Sequence, residues 1–169
     1  MAPRAIFVGA PGAGKSTVGR RVAERLKLPF LDTDQAIEER AGMSVSDIFI
    51  NQGEPEFRAL EETVVADAIA NSVGIVSLGG GALLSPTTRK SLQDYPVIWL
   101  QVSASDAANR VGMTGSRPLL LGNVRGTMMK LLEERTPLYA EVADLVLDTS
   151  GRTARVIADD VISWLESLA

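Results

Sequence analysis

Residues 9–17 read Gly9-Ala10-Pro11-Gly12-Ala13-Gly14-Lys15-Ser16-Thr17, which is the pattern G-x-x-x-x-G-K-[ST]. In such a loop the glycines let the backbone curl so that successive N–H groups point at phosphate oxygens. The lysine reaches the β- and γ-phosphates, and the following hydroxyl can ligate Mg²⁺. The residues expected to touch phosphate are therefore Gly12, Ala13, Gly14, Lys15, Ser16 and Thr17. A glycine-rich turn that binds nothing would look similar. The apolar run Ala5-Ile6-Phe7-Val8 before the loop and a helix beginning near Gly14 supply the context a phosphate site needs.

Four further groups could complete a phosphoryl-transfer site. Asp32-Thr33-Asp34 places two carboxylates two residues apart. Mg²⁺ beside a phosphate loop needs an acid, and Asp32 is the better placed candidate. Asp34 could hydrogen-bond an acceptor hydroxyl or take its proton. The same pair also reads as a helix cap followed by a first-turn acid, and the two readings are compatible. Glu54, Phe57, Arg58 and Glu61 follow Gly53 at helical spacing and so share one face. Glu61 could hold Arg58 rigid for a two-point grip on a carboxylate, or the two could be an ordinary exposed ion pair.

Gly79-Gly80-Gly81 after a third apolar run would admit a ligand close to backbone N–H groups, unless it is merely a flexible loop. Met113–Asn123 contains Arg117 and reads either as a surface connection or as a lid. A lid over residues 112–124 would exclude water and bring Arg117 to the transferring group as a catalytic cation, with Lys15 and Asp34. Arg135 precedes Pro137 and reads either as a solvated helix residue or as a second cation for an anionic substrate.

These residues must be held by elements, and the pattern predicts them. Runs over 4–8, 29–32, 74–78, 97–102 and 144–148 are apolar and rich in β-branched residues, as in parallel strands buried on both faces. Helical stretches separate them, at 16–26, 36–40, 45–50, 55–70, 85–92, 103–111, 124–142 and 153–168. Strand and helix in alternation predict an α/β fold with helices on both faces and ligands beyond the carboxyl ends of the strands. The phosphate loop, Asp32, Asp34, Gly79–Gly81 and the Ser150-Gly151-Arg152 turn all follow strands.

Composition narrows the chemistry. The 169 residues suit one domain, and 46% hydrophobic content suffices for a core. There is no cysteine and no histidine, so disulfides, thiolate ligands and imidazole bases are excluded. A net charge of −4 argues against nucleic acid as the main partner. Met1 runs almost directly into the first strand and no 18-residue apolar run occurs, so a soluble cytoplasmic protein is expected.

In this order, the blocks Gly9–Thr17, Leu31–Asp34, Gly53-Glu54 with Phe57-Arg58 and Glu61, Leu78–Gly81, Arg117–Leu120 and Arg135-x-Pro137-x-Tyr139 resemble the shikimate kinase family, and within it the actinobacterial form. The resemblance runs through nearly the entire chain. It implies a three-layer α/β/α P-loop kinase of the nucleoside-monophosphate-kinase type, with a five-stranded parallel sheet in order 2-3-1-4-5 and a mobile lid. It implies one domain over 1–169, with a substrate region at about 33–61.

The implied reaction moves the γ-phosphoryl group of ATP to the 3-hydroxyl of shikimate, with Mg²⁺ as cofactor, in the route to the aromatic amino acids. The implied unit is a monomer with no nucleic-acid or membrane partner. Asp34, Arg58, Gly79, Gly80, Gly81 and Arg135 would bind shikimate, with Phe49, Phe57 and Glu61 lining or bracing its pocket. Ser16 and Asp32 would hold the metal, while Arg117 approaches the phosphates. Arg110 and the 150–153 turn would flank adenine. That turn lacks the proline common in relatives, so Arg152 and Arg155 are both candidates, with Arg152 favoured. A gluconate-type kinase of the same fold and a non-catalytic nucleotide switch are the alternatives.

Overall fold

The computed structural model describes residues 2–114 and 124–168. Five parallel strands form one sheet: β1 (Ala5–Val8), β2 (Phe30–Asp32), β3 (Ile75–Ser77), β4 (Val97–Gln101) and β5 (Leu145–Asp148). Their order is β2-β3-β1-β4-β5, as the resemblance implied. Every pairing is parallel, with Asp32 in register with Ser77 and Ser77 with Phe7. The carboxyl ends therefore share one edge of the sheet.

The expectation of strands buried on both faces holds for β1 and β3 and for β4 up to Leu100, but not for β2 and β5. β2 is half-buried throughout and β5 alternates between half-buried and exposed. Both are edge strands, so each lacks a neighbour on one side and is incompletely covered by helices.

Alternation along β1 divides the core. Ala5 and Phe7 face α1 (Lys15–Leu26) and α8 (Ala154–Ser167), where Val18, Val22, Ile157, Val161 and Leu165 close one layer. Ile6 and Val8 face α4 (Glu54–Asn71), with Val65, Ile69, Leu83 and Tyr139 in the opposite layer. Full burial of such side chains contributes about 1.5–3 kcal/mol each.

A third, smaller cluster of Ile37, Val45, Ile48, Phe57 and Val64 lies between α2 (Thr33–Ala41), α3 (Val45–Gln52) and α4. It is a separate core for the segment that carries the expected substrate residues.

Helix ends follow the local chemistry. Ser103 Oγ accepts from Asp106 N at 3.1 Å at the start of α6 (Ala104–Thr114). Ser85 Oγ accepts from Thr88 N at 3.2 Å ahead of Pro86 in α5 (Pro86–Ser91). A 3-10 turn at Ala82–Leu84, not foreseen in the sequence, connects Gly81 to that helix. α7 (Val124–Val142) continues across Pro137 although proline cannot donate a helical bond. Among the described residues, no helix is long and apolar enough to cross a membrane. Arg117 and most of the 112–124 segment expected as a lid lie outside the described residues.

Candidate active site

The phosphate loop joins β1 to α1 at the ligand edge of the sheet. Gly14 takes φ 90° as it caps α1, a left-handed conformation that glycine adopts without a Cβ clash. Lys15 is buried, and its Nζ donates to Gly9 O at 2.8 Å and Ala10 O at 3.0 Å. Those bonds hold the cation over the loop. The first amides of α1 point the same way and add the positive end of the helix.

Asp32 ends β2 and caps α2. Its Oδ1 accepts from Asp34 N at 2.9 Å and Gln35 N at 3.3 Å. Its Oδ2 accepts from Ser16 Oγ at 2.5 Å. The capping reading of this acid holds in the geometry: one oxygen caps α2, and the other accepts from the phosphate-loop hydroxyl. A hard carboxylate and a hydroxyl side by side suit Mg²⁺, which binds through one or two protein oxygens and otherwise keeps water and phosphate ligands. Among the described residues, no group of three or more His, Cys, Asp or Glu is gathered as a metal cage.

A cleft of about 460 Å³ is bounded by the phosphate loop, Asp32, Asp34 and the Gly79-Gly80 backbone. The glycine run is a tight wall rather than a flexible loop. Gly79 N donates to Thr33 Oγ1 at 3.1 Å, and Thr33 is fully buried. A Cβ on Gly79 would lie 2.5 Å from Asp34 Oδ1 and 3.1 Å from Glu61 Oε2. A Cβ on Gly80 would lie 2.6 Å from Pro11 Cδ, and one on Gly81 would collide with the Arg58 guanidinium. The three residues are the point where the phosphate loop, Asp34, Glu61 and Arg58 meet, and only glycine leaves room for all four.

On α4, Arg58 Nη1 donates to Glu61 Oε1 at 2.9 Å, while the two side chains are 21% and 4% exposed. This is not an ordinary exposed pair. Glu54 Oε1 lies 3.7 Å from Arg58 Nε, and the Phe57 and Phe49 ring centroids lie 5.1 and 5.8 Å from Cζ. The two rings pack at 4.6 Å between centroids. The guanidinium is thus held by an acid and supported by aromatic faces.

Arg135 is buried too, at 7% exposure, contrary to the reading of it as a solvated residue. Its neighbours are Tyr139, Arg58 and Glu61. Loss of hydration lowers its pKa, the Tyr139 phenol opposes that shift, and the like charge of Arg58 adds to it. Burial in turn pushes the Tyr139 phenol up to about 12. Two guanidinium groups lie beside the buried Glu61, with Glu54 at the exposed rim, and the pair of cations suits an anionic ligand.

Arg110 Nη1 donates to Gly12 O at 2.8 Å, so this arginine lies on the phosphate loop itself. It also lines a second pocket of about 200 Å³ with Gly14, Thr17, Thr149 and Arg152. Arg152 is anchored by Asp160 and by Asp148 O, whereas Arg155 is exposed on α8. The structure brings together the phosphate loop, Asp32, Asp34, the glycines, Arg58, Glu61, Phe49, Phe57 and Arg135, with Arg110 and Arg152 beyond the loop.

Sequence reasoning missed the part played by Tyr139. Its hydroxyl donates to Gly80 O at 2.6 Å across 59 residues of chain. The one available signal was its i+4 spacing from Arg135.

Comparison with known proteins agrees with the geometry. The family model described as shikimate kinase matches residues 11–166. A shikimate kinase of Thermobifida fusca is 52% identical over 157 residues, covering 93% of this chain and 91% of that one. One of Rhodococcus jostii is 50% identical over 166 residues, covering 98% and 99%. A structure of shikimate kinase from Acinetobacter baumannii in complex with shikimate superposes with a TM-score of 0.94 at 33% identity, covering 99% of this chain and 94% of that one.

Proposed function

Because the chain belongs to the shikimate kinase family, we propose that it transfers the γ-phosphoryl group of ATP to the 3-hydroxyl of shikimate, giving shikimate 3-phosphate and ADP, in the route to the aromatic amino acids. The observation that carries this reading is the convergence on Gly79–Gly81. The phosphate loop packs on one side of that run, and Asp34, Glu61 and Arg58 pack on the other. A donor cradle and a site for a hydroxylated carboxylate share one wall.

Phosphoryl transfer asks for positioning and charge neutralisation more than for covalent help. The loop amides and Lys15 hold the donor phosphates. Arg58 and Arg135 grip the shikimate carboxylate, with Glu61 fixing the first of them. Phe49 and Phe57 supply the apolar side of the pocket. With its carboxylate held, the ring presents hydroxyls to Asp34, which orients the attacking oxygen and accepts its proton as the ester forms. Ser16 and Asp32 would hold Mg²⁺, which when bound offsets the negative charge of the β- and γ-phosphates.

Arg110 and Arg152 flank the adenine side of the loop. Arg117, from the segment expected to close as a lid, adds charge at the phosphates and keeps water out. Every residue in this scheme comes from one chain, so a monomer suffices for it.

A coupled assay of ADP release tests the reading. With ATP and Mg²⁺ present, shikimate should support turnover and gluconate should not. Faster turnover with gluconate, or ATP binding with no binding of shikimate in calorimetry, would refute it.

A further inference from the structure

We infer that Tyr139 is a positioning residue of the shikimate site, whose hydroxyl ties the turn of α7 that carries Arg135 to the Gly80 carbonyl. The inference rests on the proposed shikimate site and deepens it. The Tyr139 ring is 1% exposed, packs 5.7 Å from the Trp99 ring between centroids, and sits in the same buried layer as Leu78, Ala82 and Leu83. Its oxygen is therefore fixed by the core. That oxygen donates its proton to Gly80 O at 2.6 Å, and Arg135 is buried one helical turn earlier on α7. The bond thus ties the helix turn that carries Arg135 to the glycine wall of the site.

The chemistry explains a phenol at this place. Arg135 is buried beside Arg58, and two like charges drawn out of water need oriented acceptors. Glu61 fills that need for Arg58 by neutralising it. A second acid at position 139 would fix Arg135 as well but would cancel the remaining positive charge. A neutral phenol ties the helix down and leaves the Arg135 charge intact. The same hydroxyl ties α7 to the glycine wall, so the distance from Arg135 to that wall is set by one side chain rather than by the register of a long helix.

The test is Tyr139→Phe, which keeps the ring and removes only the oxygen. The KM for shikimate should rise roughly tenfold as Arg135 loses its fixed place against the wall. The KM for ATP should stay close to that of the parent, and the thermal transition should stay cooperative, with its midpoint lower by a few degrees for one lost buried hydrogen bond. Combined with Arg135→Lys, the two effects should overlap, so that the double variant has about the shikimate KM of Arg135→Lys alone.

An unchanged shikimate KM, equal losses for both substrates, fully multiplicative effects in the double variant, or loss of a cooperative thermal transition would each overturn the inference. Failure of the parent chain to phosphorylate shikimate would instead remove the reading beneath it, so the two failures are distinguishable.

Discussion

Replacing Arg58 by lysine separates the carboxylate-binding half of the site from the phosphate half. Lysine keeps the charge but has one nitrogen in place of a planar fork. In the native geometry one fork nitrogen, Nη1, is committed to Glu61 at 2.9 Å while the guanidinium also packs against Gly81. The Glu61 side chain is only 4% exposed, so its carboxylate has little water to turn to. A lysine ammonium would stay with Glu61, and the substrate carboxylate would lose a charge-assisted contact of about 1.5–3 kcal/mol. That corresponds to a rise in the shikimate KM of roughly 10- to 150-fold. The KM for ATP should move less than about twofold, because Lys15 is held by Gly9 and Ala10 and not by Arg58. Steady-state rates of ADP release, with each substrate varied at saturation of the other, give both constants. Equal losses for the two substrates, or no change for shikimate, would refute the role given to Arg58.

The glycine wall makes a paired prediction. Gly79→Ala pushes against Asp34 and Glu61 and should weaken shikimate alone, whereas Gly80→Ala pushes against Pro11 and should weaken ATP as well. Each should cost about 1–3 kcal/mol, read as roughly 5- to 150-fold in KM, and titration calorimetry with each ligand separates the two patterns. Asp32→Asn keeps the helix cap, since asparagine caps as well as aspartate, but removes the charge beside Ser16. Its melting temperature should stay within a few degrees of the parent while the Mg²⁺ concentration for half-maximal rate rises about tenfold or more.

Tyr139 holds its proton up to about 12 in the folded chain against 10.0 as the ordinary value. Between those pH values the folded state binds more protons than the unfolded one, so stability falls as pH rises. The fall should amount to at most about 2–3 kcal/mol and be missing in Tyr139→Phe, and urea unfolding of both chains at several alkaline pH values measures it.

What the sequence disclosed was local. The phosphate loop, the Asp32 cap and the Arg58–Glu61 face all depend on residues close together in the chain, and each took the expected geometry. The central strands were legible from unbroken apolar runs. The edge character of β2 and β5 was not, because strand composition does not reveal how many neighbours a strand has. Arg135 sits among Glu133, Glu134, Thr136 and Pro137, all of them exposed. It is buried beside Arg58 and Glu61, which lie far away along the chain. The same holds for the contact of Gly79 with Thr33 across 46 residues and for the small core behind Phe57. Pairings across such separations belong to the tertiary fold and leave no periodic trace in the sequence.

The most direct test of the central claim is the identity of the product. After incubation with ATP, Mg²⁺ and shikimate, ³¹P–¹H correlation spectroscopy should show one new phosphate ester on ring carbon 3, formed in equal amount with ADP. Release of inorganic phosphate without an ester, or an ester on another hydroxyl, would contradict the account.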